Sequence, residues 1–234
     1  MRQFPHVLKK ECSGYFVSPI AYIVIAVFLV VAGWFFFSTF FIYGQASMRK
    51  FFNLLPIIFS FVIPAITMRL FSEELNTGAY ELLATLPVTR TDIILGKFAA
   101  GVVMTAAMLG PTLIYPICIS FLGDLDWGPV IGGYIGAILL GGAFSAIGLF
   151  ASSLTRNQII AFILGAAICV GLTLIDRMLM FFPGAVVNVL EYLAAGAHFE
   201  SIARGVIDTR DIIYFFSVMF IGLYATGLSL QYKE

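Results

Sequence analysis

The sequence predicts an all-α membrane protein of six transmembrane helices, and three observations carry that prediction. Only 11% of its 234 residues are charged and 61% are hydrophobic, whereas soluble domains carry roughly 25% charged residues. So little polar surface cannot cover a water-exposed globule. Six stretches free of Asp, Glu, Lys and Arg, at 12–48, 51–68, 98–123, 127–155, 157–175 and 212–232, each reach the ~18 to 20 residues that a bilayer-spanning helix needs. The strand-like alternation of a membrane barrel is absent.

The same composition narrows the function. A formal net charge of zero argues against nucleic acid as a partner. Cys12, Cys118 and Cys169 lie far apart without metal or redox spacing and read as small packed hydrophobes. His6 and His198 stand alone, so no metal site is readable. No nucleophile–base pair or paired-carboxylate site appears, and chemistry in this chain is not expected. The N-terminus is not expected to be a signal peptide, because no small-residue cleavage site follows its apolar stretch, which is long enough to stay in the membrane.

Along the chain, residues 1–17 oppose Phe4, Val7 and Leu8 to Lys9 and Lys10, the pattern of a short amphipathic helix on the inner leaflet or of a basic tail. Ser18-Pro19 opens the first span, since proline is tolerated in a first helical turn. Gly110-Pro111 and Pro116 predict a kink in the third span. The fourth carries Gly132, Gly136, Gly141, Ser145 and Gly148 at small-xxx-small spacings, read as packing against neighbouring spans rather than as a subunit interface. Arg156 and Asn157 form a tight turn. Asp176-Arg177 ends the fifth span as an interfacial anchor.

The run 178–190, with Pro183 and Gly184, is too short to cross and suits a re-entrant segment. Beyond it, Glu200 and Arg204 are spaced for an i,i+4 ion pair. With Glu191 and His198 they form either ordinary surface polarity or a polar rim at an outer gate. Asp208 or Thr209 caps the last span. Eight basic residues fall on the N-terminal side of the membrane and five on the other, which places both termini in the cytoplasm.

Between the second and third spans the chain inserts "EELNTGAYELLATLPVTRTDIILGK". Ser72 is expected to cap a helix whose first turn holds Glu73 and Glu74. Asn76-Thr77-Gly78 breaks it. A second short helix follows from Ala79 to Leu86, stopped by Pro87, and Thr89 with Asp92 opens the third span as a capping box. Such an amphipathic elbow either lies in the headgroups or docks into a groove on another protein.

The run "YELLATLPVTRTDIILGK" resembles the coupling-helix region of ABC-2-type transporter permeases. "KKECSGYFVSPIAYIVIAVFLV" and "HFESIARGVIDTRDIIYF" look like the gliding-motility-associated (GldF-like) permeases. That resemblance implies a single transmembrane domain over 1–234 with an elbow helix at 1–17, a coupling region at 71–90 and an outer re-entrant segment at 183–206. It implies two permease copies, or a permease and a paralogue, working with two copies of a separate ABC ATPase in the cell's inner membrane. The family's docking segment falls on Glu73, Glu74, Gly78, Glu81, Leu82, Leu83, Leu86 and Pro87, and its elbow on Lys9, Lys10 and Phe16.

The sequence agrees with that division of labour. Its one Gly-Lys pair, Gly96-Lys97, is preceded by Thr91 and followed by Phe98 where a phosphate loop needs Gly and Ser or Thr. ATP and magnesium are therefore expected on the partner and no cofactor here. The expected function is ATP-driven translocation, as an exporter. The alternative is a mechanical or assembly subunit driving an extracytoplasmic partner.

Overall fold

The computed structural model describes residues 3–43, 47–80, 88–178, 192–206 and 208–232, and among these all regular structure is helical. Helix α1 (Phe4–Val17) ends at Ser18, whose extended backbone separates it from α2 (Pro19–Tyr43). Helices α3 (Arg49–Thr67) and α4 (Arg69–Thr77) join at Met68 into one long apolar stretch. Helix α5 (Arg90–Leu109) passes through a 3₁₀ turn (Gly110–Leu113) into α6 (Ile114–Ser120). Then follow α7 (Trp127–Leu154), α8 (Gln158–Met178), α9 (Ala195–Ala203) and α10 (Thr209–Gln231). Six helical stretches, α2, α3–α4, α5–α6, α7, α8 and α10, are long and apolar enough to span a bilayer.

The centre of the bundle is α7, with 78% of its apolar window buried against 17% for α10. Its small residues explain how. A Cβ on Gly148 would collide with the Thr67 hydroxyl and reach the Pro64 backbone, one on Gly141 would collide with Thr105, and one on Gly133 with the Phe52 ring. The small-residue stripe is therefore spent on packing inside one chain, as the sequence suggests. On the far side Gly222 of α10 rests on Ala146.

The prolines act where expected. The 3₁₀ turn carries Pro111, and the groups it frees find partners: the Thr112 hydroxyl donates to Leu109 O at 2.7 Å and the Tyr134 hydroxyl to Thr112 O at 2.9 Å. Beyond the turn, Cys118 of α6 is exposed. Cys118 is thus a surface residue and not the packed hydrophobe expected from its apolar setting. Thr89 accepts from the Asp92 amide at 3.2 Å and Asp208 from the Arg210 amide at 3.0 Å, so both expected caps form. Asn157 does more than turn the chain, because its side chain accepts from the Ile159 amide at 2.9 Å and caps α8.

One expected cap is not there. Ser72 lies inside α4, and its hydroxyl donates back to Met68 O. The helix starts earlier, and its orphan amides are met from outside. The Ser152 hydroxyl of α7 accepts from Phe71 N and Ser72 N, both at 3.0 Å, and donates to Met68 O at 2.6 Å. A local pattern cannot reveal a cap that a residue 80 positions away supplies. At the other end α4 stops at Gly78, whose φ of 74° belongs to the left-handed region.

Replacing Gly148 by Val is expected to lower the unfolding temperature in detergent, because overpacking a close helix crossing costs about 1–3 kcal/mol. Gly171, with nothing within 4 Å of a built Cβ, should tolerate the same change with little shift.

Candidate functional site

Helix α1 lies along α5 because Gly96 offers no side chain there: a Cβ would stand 2.6 Å from Val7 Cγ1 and 3.4 Å from the Leu8 amide nitrogen. The next residue, Lys97, is 1% exposed. A buried ammonium is costly unless every proton finds an acceptor, and this one finds three. Its Nζ lies 3.0 Å from Glu11 Oε1 of α1 and 2.9 Å from Glu74 Oε1 of α4, and donates to Leu70 O at 2.8 Å. The Phe71 ring covers it at 5.2 Å. Lys10 adds a second, half-exposed cation 3.4 Å from Glu74 Oε1. One side chain thus ties the N-terminal helix, the extension of the second span and the start of the third.

A second contact fixes the same helix. The Tyr15 hydroxyl, 4% exposed, donates to Ile66 O at 3.1 Å, and the Arg69 guanidinium lies 5.0 Å over its ring. Burial pushes this phenol far above its ordinary range, so it remains a neutral donor. Burial, and then the Glu11 carboxylate, push the Cys12 thiol up as well, which keeps it a protonated packing group.

Among residues singled out by sequence, Glu74 and Lys10 enter this cluster directly. Glu73 instead lines a cavity of about 230 Å³ with Tyr15, Arg69 and Gln158. Gly78 supplies the left-handed stop. Lys9 and Phe16 are exposed. Glu81, Leu82, Leu83, Leu86 and Pro87 lie outside the described residues, as does Glu191. At the opposite end of the bundle, Glu200 and Arg204 form the expected i,i+4 ion pair, while His198 turns to α10 and faces Asp211 Oδ1 at 2.7 Å.

Sequence reasoning missed Glu11, the role of Lys97, and Asp211. A signal for the first two was present: a lysine seven residues inside an apolar helix needs carboxylates, and Glu11 and Glu74 are acidic residues of the segments flanking it. Their separations of 86 and 23 residues hide the pairing from any local reading. No group of three or more His, Cys, Asp or Glu able to hold a metal occurs among the described residues.

Residues 20–232 match the family described as ABC-2 family transporter protein. The match includes Glu74 and Lys97 and leaves α1, with Lys10 and Glu11, outside it. No curated protein matches the chain.

Substituting Lys97 by Met should destabilise the protein by about 3 kcal/mol, because two partly buried carboxylates lose their cation. Adding Glu74→Gln to it should recover part of that loss, a non-additivity that a double-mutant cycle on unfolding in detergent would measure.

Proposed function

The chain belongs to the ABC-2 transporter family and is a multi-pass permease subunit of an ABC transporter; on that premise we propose that the α1 end of the bundle receives force from the ATPase. Two permease copies pair with two ATPase copies in the inner membrane, with both termini cytoplasmic, and cargo moves outward. The partner docks on the end of α4 and the segment through Pro87. Closure of the ATPase dimer on ATP displaces α4, and the bundle changes between two packed states.

The observation that carries this reading is the Lys97 cluster. Any displacement of α4 larger than a hydrogen-bond length must move α1 and α5 with it or strand a buried charge. The ammonium therefore supplies what a coupling region needs, a link too costly to break during the stroke. Support also comes from Ser152, which holds the base of α4 at Met68 and leaves its far end free of such bonds to α7 among the described residues.

Docking and transmission separate experimentally. With the ATPase co-expressed, Leu83→Asp combined with Leu86→Asp should abolish co-purification of the two subunits. Glu74→Gln should leave the complex intact and lower permease-stimulated ATP hydrolysis and vesicle flux at least ~5-fold, the lower end of common coupling energies. Full stimulation in both variants would remove the basis for the reading.

A further inference from the structure

The other end of the bundle holds a recess that the coupling reading does not use. Helix α9 is packed onto the core by Ala195, Gly196, Phe199 and Ile202, all buried. Gly205, at φ 88°, turns the chain against Pro129, and Asp208 then caps α10. This brings His198 beside the first turn of α10. Its ring stacks on Tyr214 with centroids 4.2 Å apart, and the Tyr214 hydroxyl donates to Leu193 O at 2.8 Å. Nδ1 lies 2.7 Å from Asp211 Oδ1 and Nε2 3.3 Å from Tyr192 O. Both partners are acceptors.

The Asp211 side chain is 8% exposed, and its second oxygen, Oδ2, is buried with no hydrogen-bond partner among the described residues. A buried carboxylate oxygen without a donor is costly. Asp211 lines a recess of about 790 Å³ with Tyr192, His198, Arg210 and Tyr214, within the range of small-molecule sites. The recess continues into an apolar one of about 450 Å³ along Phe216, Phe220 and Ile221, sharing Ile213 and Ser217 with it. These side chains lie on the least buried span of the six.

Depth decides the class of occupant. Asp208, Arg210 and Asp211 stand in the first turn of a span whose charge-free stretch starts at Ile212, the level at which lipid headgroups begin. We propose that this recess binds a phospholipid bearing a primary ammonium, of the phosphatidylethanolamine class, from the leaflet at the α9 end. The ammonium donates to Asp211 Oδ2, the phosphate lies within the field of Arg210, and an acyl chain follows Ile213, Phe216 and Phe220. A donor N–H is what the vacant oxygen requires, so a trimethylated headgroup of equal charge is a poor substitute.

Native mass spectrometry of the full chain in detergent, titrated with defined lipids, tests this. Phosphatidylethanolamine should bind at least ~10-fold more tightly than phosphatidylcholine or phosphatidylglycerol, about 1.4 kcal/mol. Asp211→Asn should remove that preference. Because Asp211 also holds His198, Ser217→Phe provides a second route: it blocks the passage between the two recesses from an exposed position and should lower binding of all three lipids.

Equal binding of the three lipids by the unchanged protein would overturn the proposal. So would soluble phosphoethanolamine competing at the lipid's own affinity, which would assign the site to a free metabolite. A dimer that forms without lipid and is lost in Ser217→Phe would assign the groove to a second copy instead, and would equally overturn it. None of these readouts involves the ATPase, so failure here leaves the coupling reading untouched.

Discussion

Burying one lysine in an apolar bundle fixes more of this structure than any other choice the chain makes. The Lys97 ammonium, 1% exposed, survives in its place only while Glu11, Glu74 and Leu70 O stay within about 3 Å of it. That demand sets where α1 lies, how far α4 extends beyond the second span, and how close α1 approaches α5 at Gly96. An amphipathic helix held only by headgroups would slide along the surface. Here it is latched by the Glu11 carboxylate near its middle and by the buried Tyr15 hydroxyl one turn further on.

The two ends of the bundle satisfy their polar groups differently, and α7 explains why they coexist. Its glycines let five neighbours approach its backbone, so the middle of the bundle is closely packed and rigid. Rigidity there leaves polar adjustments to the ends. At the α1 end the charges are paired across three helices. At the α9 end Asp211 keeps one oxygen unsatisfied beside a recess. Each end leaves a carboxylate oxygen over, since Glu74 Oε2 and Asp211 Oδ2 both lack a hydrogen-bond partner among the described residues, but Glu74 holds its cation through the other oxygen.

The spans were legible in the sequence because transmembrane helices are defined by what they exclude: each described span overlaps one stretch free of charge, although Arg49–Thr77 runs nine residues past its own and Arg90–Ser120 starts eight before its own. The proline kink and the Thr89 and Asp208 caps were legible for a related reason, since their signals and partners lie within four residues of each other. Contacts between distant segments were not. Ser72 carries the side chain of a cap, but the same hydroxyl bonds equally well to the carbonyl four residues back, and the hydroxyl that meets the α4 amides belongs to Ser152. The half of the docking segment from Glu81 to Pro87 lies outside the described residues, so the sequence remains its only witness.

The geometry also orders the routes by which a push on α4 would travel, if the coupling reading holds. Two links leave α4. One is the Ser152 hydroxyl at its base, three neutral hydrogen bonds to α7. The other is Glu74, six residues beyond Met68, bound to Lys97 and Lys10. Charge-assisted bonds are roughly twice as strong as neutral ones, and breaking the buried pair would also strand its members. A force applied beyond Gly78 acts on the longer arm, at Glu74, while the base at Met68 bears little displacement. Ser152 then serves as the pivot and Lys97 as the point of delivery. Motion would enter the bundle through α5 and the latched α1, and the rigid α7 would remain the frame against which they turn.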